Sequence, residues 1–410
     1  MDDMKIEVDS GGLGDVPGFV LAGVACDVRG TGDGCLDLAL VASADPCSAA
    51  GMLTRNAVKA APVLFCAELL EQSGGEGIHA VVVNSGNANA CTGSAGMADA
   101  REMARLTENA IGAPPGSVFV CSTGRIGRPL PMERIEKGIQ EAAVRATEGR
   151  GNGEAASRAI LTSDTRPKTV TVRFRHDGRT VTVGGMAKGA GMIEPNMATM
   201  LAFVGTDLAA PAALLRDALE RTVPGSYNAI TVDGDMSTND TVLFLANGCS
   251  GVALTGAGDE LHRKFIEAVR LVNMRLAEKI VSDGEKITKV VELRITGALN
   301  DEDAERVARE IGNSLLVKSS WYGEDPNWGR LAASAGASGA SFDPQGLEIH
   351  YGDVPALLGG DPCPENATAW KEIVCGRRFT IHIHLNAGEG AFRMLATDLS
   401  EGYVNFNRSE

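Results

Sequence analysis

One glycine-rich segment combines residue types that can act as nucleophiles, acids and bases. Residues 184–203 read GGMAKGAGMIEPNMATMLAF, in which glycines surround Lys188 and small residues lead to Thr199. Glycine lets a chain bend sharply, so charged and hydroxyl groups along this segment can converge. A glycine-rich turn between two strands is the alternative that the pattern alone leaves open.

Thr199 in this segment could act as a nucleophile if the chain were cut directly in front of it. A threonine hydroxyl is weak unless a base lies beside it, and a free α-amine, with a pKa of about 8, is well suited as that base. A cut between Ala198 and Thr199 would therefore create nucleophile and base together. The apolar run MLAFVGTD that follows predicts that Thr199 begins a buried strand.

A second segment, VFVCSTGRIG at 118–127, could stabilise a developing negative charge. It ends an apolar strand in Ser-Thr-Gly, where glycine allows a ligand to approach the backbone closely. Thr123 and Gly124 could donate hydrogen bonds to an oxyanion. An ordinary turn between a strand and a helix is the alternative interpretation.

Other polar residues carry weaker signals. Glu285 follows a glycine after a predicted helix, where a carboxylate is more often simply solvated. His382 and His384 share one face of a strand, but no third ligand stands at a suggestive spacing, so a metal site is not predicted. The sequence also lacks the GxSxG, GxxxxGK[ST] and HExxH signatures.

The elements that must position these residues alternate between strands and helices. Residues 18–83 read as a sheet-rich opening, and Asp177-Gly178 predicts a hairpin between strands at 169–175 and 180–184. Apolar periodicity predicts helices and further strands in the remainder of the chain: helices at 95–112, 131–148, 210–223, 259–282 and 301–312, and strands at 288–297 and 378–385. The predicted fold class is mixed α/β, with sheets packed against helices in layers.

Composition excludes several classes of protein. The 410 residues allow two domains or one large layered body, and the net charge of −15 without clustered Lys and Arg argues against nucleic-acid binding. No apolar stretch is long enough to span a membrane and no secretory signal is apparent, so the expected location is the cytoplasm. Nine scattered cysteines without a CxxC pair argue against a disulfide framework and a zinc site.

Several long motifs in order resemble one family, the ornithine acetyltransferases, also called glutamate N-acetyltransferases, of the cyclic arginine pathway. The most specific is KGAGMIEPNMATML, which resembles that family's self-processing site. The others follow along the chain: NSGNANACTG (84–93), CSTGRIG (121–127), TSDTRPK (162–168), NAITVDGDMSTNDT (228–241), SDGEKITK (282–289) and DPNWGRLA (325–332).

The resemblance implies a precursor that cuts itself into an α chain, 1–198, and a β chain, 199–410, which assemble as α2β2. It implies a ping-pong reaction in which Thr199 takes the acetyl group from N-acetylornithine and passes it to glutamate. Acetyl-CoA is a further acetyl donor that the sequence leaves open, and no metal or organic cofactor is implied. The implied fold is a larger α/β body with a smaller second domain at roughly 285–390.

The resemblance also implies roles for individual residues. Thr123 and Gly124 fall at that family's oxyanion hole, and Thr162, Lys188, Thr199 and Glu285 fall at its substrate contacts. At the C-terminus, GYVNFNRSE places Asn407 and Ser409 at the remaining contacts, with Asn405 as a competing assignment. We expect Lys188 to meet a substrate carboxylate and Glu285 a substrate amine.

Two rival functions remain compatible with the sequence. One is an N-terminal-nucleophile amidase or aminopeptidase, which shares the self-cleavage but passes the acyl group to water. The other is a non-catalytic homologue that acts in binding or assembly. Retention of Thr123, Lys188, Thr199 and Glu285 together favours the enzyme.

Overall fold

The computed structural model describes residues 6–149, 151–194 and 200–408. The chain divides into two compact units. Unit 1 comprises 1–189, 195–228 and 236–280, and unit 2 comprises 190–194, 229–235 and 281–410. Ala198, Thr199 and Ser409 lie outside the described residues.

Unit 1 is built on one large mixed sheet, in the order β1-β6-β7-β8-β9-β3-β4-β5 with β2 paired to β3. Its described strands are β1 Glu7–Asp9, β2 Phe19–Val24, β3 Leu38–Leu53, β4 Ile78–Asn87, β5 Val118–Arg125, β6 Lys168–His176, β7 Arg179–Lys188, β8 Leu201–Thr206 and β9 Thr241–Ala246. Its described helices are α1 Ala61–Ser73, α2 Gly93–Ile111, α3 Met132–Thr147, α4 Gly153–Ala159, α5 Ala212–Thr222 and α6 Glu260–Val281.

The strands β2, β4 and β5 and the first part of β3 are mostly buried on both faces, which explains their nearly continuous apolar runs. Alternate residues enter two different cores. Val82 and Val120 pack with Met103 of α2 and Ile139 of α3, whereas Val83 packs in the core on the opposite face. This part of the sheet is therefore an interior layer between two apolar cores.

The strands β6 and β7 form the predicted hairpin. Asp177 and Gly178 both have positive φ, at 50° and 73°, as a two-residue hairpin turn requires. β7 then pairs antiparallel with β8, and β8 pairs parallel with β9. β8 is buried throughout, but it begins at Leu201, so the expectation that Thr199 starts this strand falls on a residue outside the described part.

Unit 2 is built on a smaller sheet, in the order β13-β12-β11-β14-β10-β15. Its described strands are β10 Val290–Ala298, β11 Glu348–Tyr351, β12 Val354–Leu358, β13 Asp361–Pro362, β14 Arg378–His384 and β15 Gly390–Thr397. Its described helices are α7 Asp301–Asn313, α8 Leu315–Tyr322, α9 Trp328–Ala337, α10 Ala367–Cys375 and α11 Glu401–Phe406. Leu293, Ile381 and Ile383 enter one apolar core with Val307 and Ile311 of α7.

The mixed α/β class predicted from the sequence is confirmed, and the structure adds helices that the sequence patterns did not indicate. The opening predicted as sheet-rich contains β2, β3 and the start of β4, and it also contains the helix α1, which Pro62 starts and Gly74 ends in the left-handed conformation. The C-terminal Tyr403-Val404 segment lies in the helix α11, which begins where the Ser400 side chain accepts the Tyr403 N–H and caps the helix. No helix in the described ranges has the length and apolar content needed to cross a membrane.

Candidate functional site

Lys188, the last residue of β7, brings together two threonines from other parts of unit 1. Its Nζ donates to Thr162 Oγ1 at 2.8 Å and to Thr123 Oγ1 at 3.3 Å. Its side chain is only 9% exposed, so the ammonium charge lies among protein groups rather than in water. We call Thr123, Thr162 and Lys188 the lysine–threonine cluster, and all three residues had been named from the sequence.

A buried carboxylate supports this cluster. Asp164 Oδ1 lies 2.6 Å from Lys168 Nζ and its Oδ2 lies 3.8 Å from Lys188 Nζ. The side chains of Asp164 and Lys168 are 0% exposed. The same carboxylate accepts the backbone N–H of Gly189 at 2.6 Å and that of Thr162 at 3.1 Å. Asp164 thus ties the residue after Lys188 to the segment that carries Thr162.

The charge state of Asp164 follows from these contacts. Burial by itself would raise the pKa of this carboxyl, but the positive charges of Lys188 and Lys168 and the Gly189 N–H outweigh it and lower the pKa. Asp164 is therefore a carboxylate at neutral pH. A buried anion between two cations fixes the position of Lys188 more firmly than a neutral group would.

The backbone around Thr123 explains why glycine follows it. Gly124 has φ of +133°, and a Cβ there would lie 2.3 Å from the carbonyl carbon of Gly86 on β4. No other residue fits this position without moving the neighbouring strand. Thr123 is buried, and its hydroxyl accepts from Lys188, which leaves its own hydrogen to donate elsewhere.

Asp240, just ahead of β9, is a further buried carboxylate in unit 1. Burial raises its pKa, while hydrogen bonds from Ser237 and from the Met200 backbone N–H, together with the charge of Lys188, oppose the rise. The Met200 carbonyl in turn accepts the Thr241 N–H at 3.0 Å. Asp240 and Thr241 therefore hold the residue that directly follows Thr199 in the sequence.

Glu285 belongs to unit 2 and is half-buried in a turn ahead of β10. Its backbone N–H donates to the Ala190 carbonyl at 2.9 Å, and a Cβ on Gly191 would lie 2.5 Å from its carboxyl group. Asn407 Nδ2 donates to Glu285 Oε2 at 3.4 Å, whereas Asn405 is exposed on the same helix end. Within unit 2, Asn407 is thus the asparagine that approaches Glu285.

Sequence reasoning missed Asp164, Lys168 and Asp240. Asp164 and Lys168 stand inside TSDTRPK, and Asp240 stands inside NAITVDGDMSTNDT, so both motifs contained the signal. A charged side chain that is buried needs a partner of opposite charge. A search of these motifs for oppositely charged residues would have indicated the pair Asp164 and Lys168. The second partner of Asp164 is Lys188 on β7, which only the fold brings near.

The two histidines on β14 both contact one threonine hydroxyl. His382 Nε2 and His384 Nδ1 lie 2.7 and 2.8 Å from Thr296 Oγ1. Among the described residues, no group of three or more His, Cys, Asp or Glu side chains is arranged to hold a metal ion.

The fold and this cluster define a mixed α/β protein. In it a buried lysine lies beside a buried carboxylate and donates hydrogen bonds to two threonine hydroxyls. The chain belongs to the ArgJ family, whose pattern matches residues 20–409. It is 47% identical over 400 residues to the arginine biosynthesis bifunctional protein ArgJ of Symbiobacterium thermophilum, covering 98% of both chains. It is 44% identical over 392 residues to the protein of the same name from Chlorobaculum tepidum, covering 96% of this chain and 95% of that one.

A solved structure agrees with this assignment. The crystal structure of the arginine biosynthesis bifunctional protein ArgJ from Bacillus halodurans is 34% identical, with a TM-score of 0.50. The match covers 52% of this chain and 100% of that one. The family resemblance predicted from the sequence motifs is thereby confirmed.

Proposed function

We propose that this protein is a self-cleaving acetyltransferase that moves the acetyl group of N-acetylornithine to glutamate through an acetyl-Thr199 intermediate. The observation that carries the proposal is the lysine–threonine cluster, set by Asp164, in a chain of the ArgJ family. The relatives' shared name places them in arginine biosynthesis.

The first step is the cut between Ala198 and Thr199. The Thr199 hydroxyl oxygen adds to the Ala198 carbonyl carbon, the peptide C–N bond breaks, and the nitrogen takes the hydroxyl proton to become an α-amine. Water then hydrolyses the resulting ester, which leaves a carboxylate on Ala198 and restores the Thr199 hydroxyl. The products are the chains 1–198 and 199–410.

The size of the solved relative supports such a cut. The whole Bacillus halodurans chain corresponds to 52% of this chain. A β chain starting at Thr199 would be slightly more than half of the 410 residues. A chain of that length is the expected product of cleavage at this position.

Acetyl transfer then proceeds in two halves at Thr199. Its hydroxyl oxygen attacks the acetyl carbonyl of N-acetylornithine, the amide C–N bond breaks, and ornithine leaves with the proton that the α-amine has relayed. The amine of glutamate next attacks the acetyl ester, and the Thr199 oxygen leaves and regains its proton. The Thr123 hydroxyl and the Gly124 N–H would stabilise the oxyanion in both halves, and a single such donor is worth about 3–4 kcal/mol.

The charges of the proposed site residues decide which substrate group we assign to each of them. We assign Lys188 and Thr162 to the substrate carboxylate, because the ammonium group is buried and held beside hydroxyl groups. Glu285, with Asn407 beside it, would take the amine of ornithine. Ser409 is the remaining proposed contact, and the α and β chains are proposed to pair as α2β2 in the cytoplasm.

The test is a transfer assay with N-acetylornithine and with or without glutamate, followed by mass spectrometry of N-acetylglutamate and acetate. Transfer to glutamate with little acetate supports the proposal. Rapid acetate release without glutamate supports the amidase instead, and binding without either product from an uncut chain supports a non-catalytic homologue. Thr123→Val is assayed beside the wild type, because it keeps the shape of the side chain and removes the hydroxyl proposed to stabilise the oxyanion.

A second activity is favoured by the word bifunctional in the relatives' name. We propose that acetyl-CoA is the second acetyl donor, used to acetylate glutamate directly. Incubating the enzyme with acetyl-CoA and glutamate alone tests this: N-acetylglutamate should form in the wild type and not in Thr199→Ala. If no product forms while transfer from N-acetylornithine is intact, the protein is monofunctional.

A further inference from the structure

The segment Met192–Glu194, which ends shortly before the proposed cut, is tied to the segment Val232–Asp235 of unit 2. Three successive backbone N–H groups donate to it. Met192 and Ile193 donate to Asp233 Oδ2 and Oδ1, both at 2.7 Å, and Glu194 donates to the Asp235 carbonyl at 3.0 Å. The Val232 N–H returns a bond to the Ile193 carbonyl at 2.7 Å.

The backbone of this segment is in a conformation that needs such support. Met192 has φ of +57°, the left-handed region that a residue with a side chain rarely adopts. Strained positions of this kind persist only where the surroundings fix them. Here the Asp233 carboxylate fixes Met192 on one oxygen and Ile193 on the other.

Asp233 is itself held in place. It also accepts the Asp235 N–H at 3.3 Å and the Tyr403 hydroxyl at 3.2 Å. Burial raises its pKa, while its backbone N–H partners favour the carboxylate form. A carboxylate with donors on both oxygens has a defined orientation and can orient what it binds.

The side chain of Glu194 adds a second attachment. Its Oε1 accepts from Asn313 Nδ2 at 2.7 Å and from Arg309 Nη1 at 3.1 Å, both on α7. Asn313 in turn accepts from Thr231 at 2.8 Å. The last residue of the segment is thus fixed through its side chain as well as its backbone.

We propose that Asp233 is a positioning residue for self-cleavage: it fixes residues 192–194, the described segment that precedes the proposed cut, and thereby raises the rate of that cut. The inference rests on the proposed function, since it concerns the rate of the proposed cut. Reaction rates depend steeply on placement, and an anchored end a few residues away reduces the conformations that the bond can sample. Asp233 contacts no reacting atom in this proposal.

The experiment follows cleavage over time by intact mass for wild type, Asp233→Asn and Asp353→Asn, each made in a cell-free system without added protease. Asp233→Asn keeps the size of the side chain and removes the charge. Asp353 is an exposed aspartate of unit 2 between β11 and β12, so Asp353→Asn is the matched control. We expect cleavage at least about tenfold slower in Asp233→Asn, because the segment before the cut is held less firmly and the reactive placement is reached less often, and unchanged in the control.

A second measurement separates positioning from loss of folding. Amide hydrogen exchange is compared in Thr199→Ala and in Thr199→Ala/Asp233→Asn, neither of which can cut itself. Exchange should accelerate in peptides containing 192–194 and stay unchanged in peptides from the core strand β14. Acceleration throughout unit 2 would show a general loss of structure and overturn the proposal.

The outcomes are distinguishable. If the wild type remains whole, the proposed self-cleavage fails, whatever Asp233 does. If the wild type is cut and Asp233→Asn is cut equally fast, self-cleavage stands and the positioning role is refuted. If only Asp233→Asn is slow and the exchange change is confined to 192–194, the positioning role is supported.

Discussion

Replacing Asp164 with asparagine removes a negative charge that interacts with both Lys168 and Lys188. The change is nearly isosteric, so it alters charge rather than packing. Asp164 and Lys168 are 0% exposed, so water cannot replace the lost partner. Removing one partner of a buried ion pair costs about 3–5 kcal/mol, because the other charge stays buried without compensation. We expect unit 1 of Asp164→Asn to lose stability of that order.

Two probes distinguish the units in this experiment. The three tryptophans, Trp321, Trp328 and Trp370, all belong to unit 2, so tryptophan fluorescence during urea unfolding follows that unit. Native-state amide exchange of β7 peptides follows unit 1. Asp164→Asn should lower the free energy of opening at β7, and Asp164→Asn/Lys168→Met should recover part of the loss because one buried charge is gone. If the free energy of opening at β7 changes by less than about 1 kcal/mol, or if the double variant recovers none of the loss, the argument is refuted.

Three further predictions concern buried charged side chains, two of them in unit 1 and one in unit 2. The folded-state pKa of Asp164 lies below its unfolded value of about 3.9, so the stabilisation from this carboxylate is present above that pH and is lost as pH falls through the folded value. The stability difference between wild type and Asp164→Asn, measured by amide exchange of β7, should therefore shrink as pH falls below about 4. A difference that stays constant with pH would contradict this prediction. Lys188→Met should lower kcat/KM for acetyl transfer about 10- to 100-fold, the worth of a charge-assisted hydrogen bond, in protein whose amide exchange is otherwise unchanged; unaltered kinetics would remove Lys188 from the site. In unit 2, burial lowers the pKa of Lys318 to about 8. Because the unfolded lysine, with a pKa of about 10.4, binds more protons over this range, the wild type should gain about 2 kcal/mol relative to Lys318→Met as pH rises from 8 to 10. Parallel urea curves followed by fluorescence would reject this.

Elements with strong local signals were predictable from the sequence. The hairpin of β6 and β7 followed from Asp177-Gly178, whose backbone adopts the positive φ that this dipeptide tolerates. The helices α2 and α3 followed from apolar periodicity. In these segments local preference and tertiary packing favour the same structure.

The helix α1 shows why other elements were missed. Its run APVLFCAELL lies between apolar strands, and a short buried helix and a buried strand share the same apolar composition. Pro62 and Gly74 were the local signals that separated the two structures. The C-terminal helix α11 was missed for a similar reason, because its start depends on the single cap at Ser400.

For the site, residue types were predictable and residue pairs were not. Thr123, Thr162 and Lys188 were named from motifs, and the fold brings them within hydrogen-bond distance. That Asp164 would bind Lys188 and the Gly189 N–H depends on the path of β7 beside the segment at 162–168, which no local pattern fixes. Asp233 was missed because its role lies in binding backbone groups, which carry no sequence signature.

The measurement that tests the central claim most directly is the intact mass, under denaturing conditions, of wild type and Thr199→Ala prepared without contact with proteases. The account predicts two chains for the wild type, divided between Ala198 and Thr199, and one full-length chain for the variant. A wild type that stays whole would contradict Thr199 as a nucleophile freed by self-cleavage, and the acetyl-transfer mechanism built on it would fall with it.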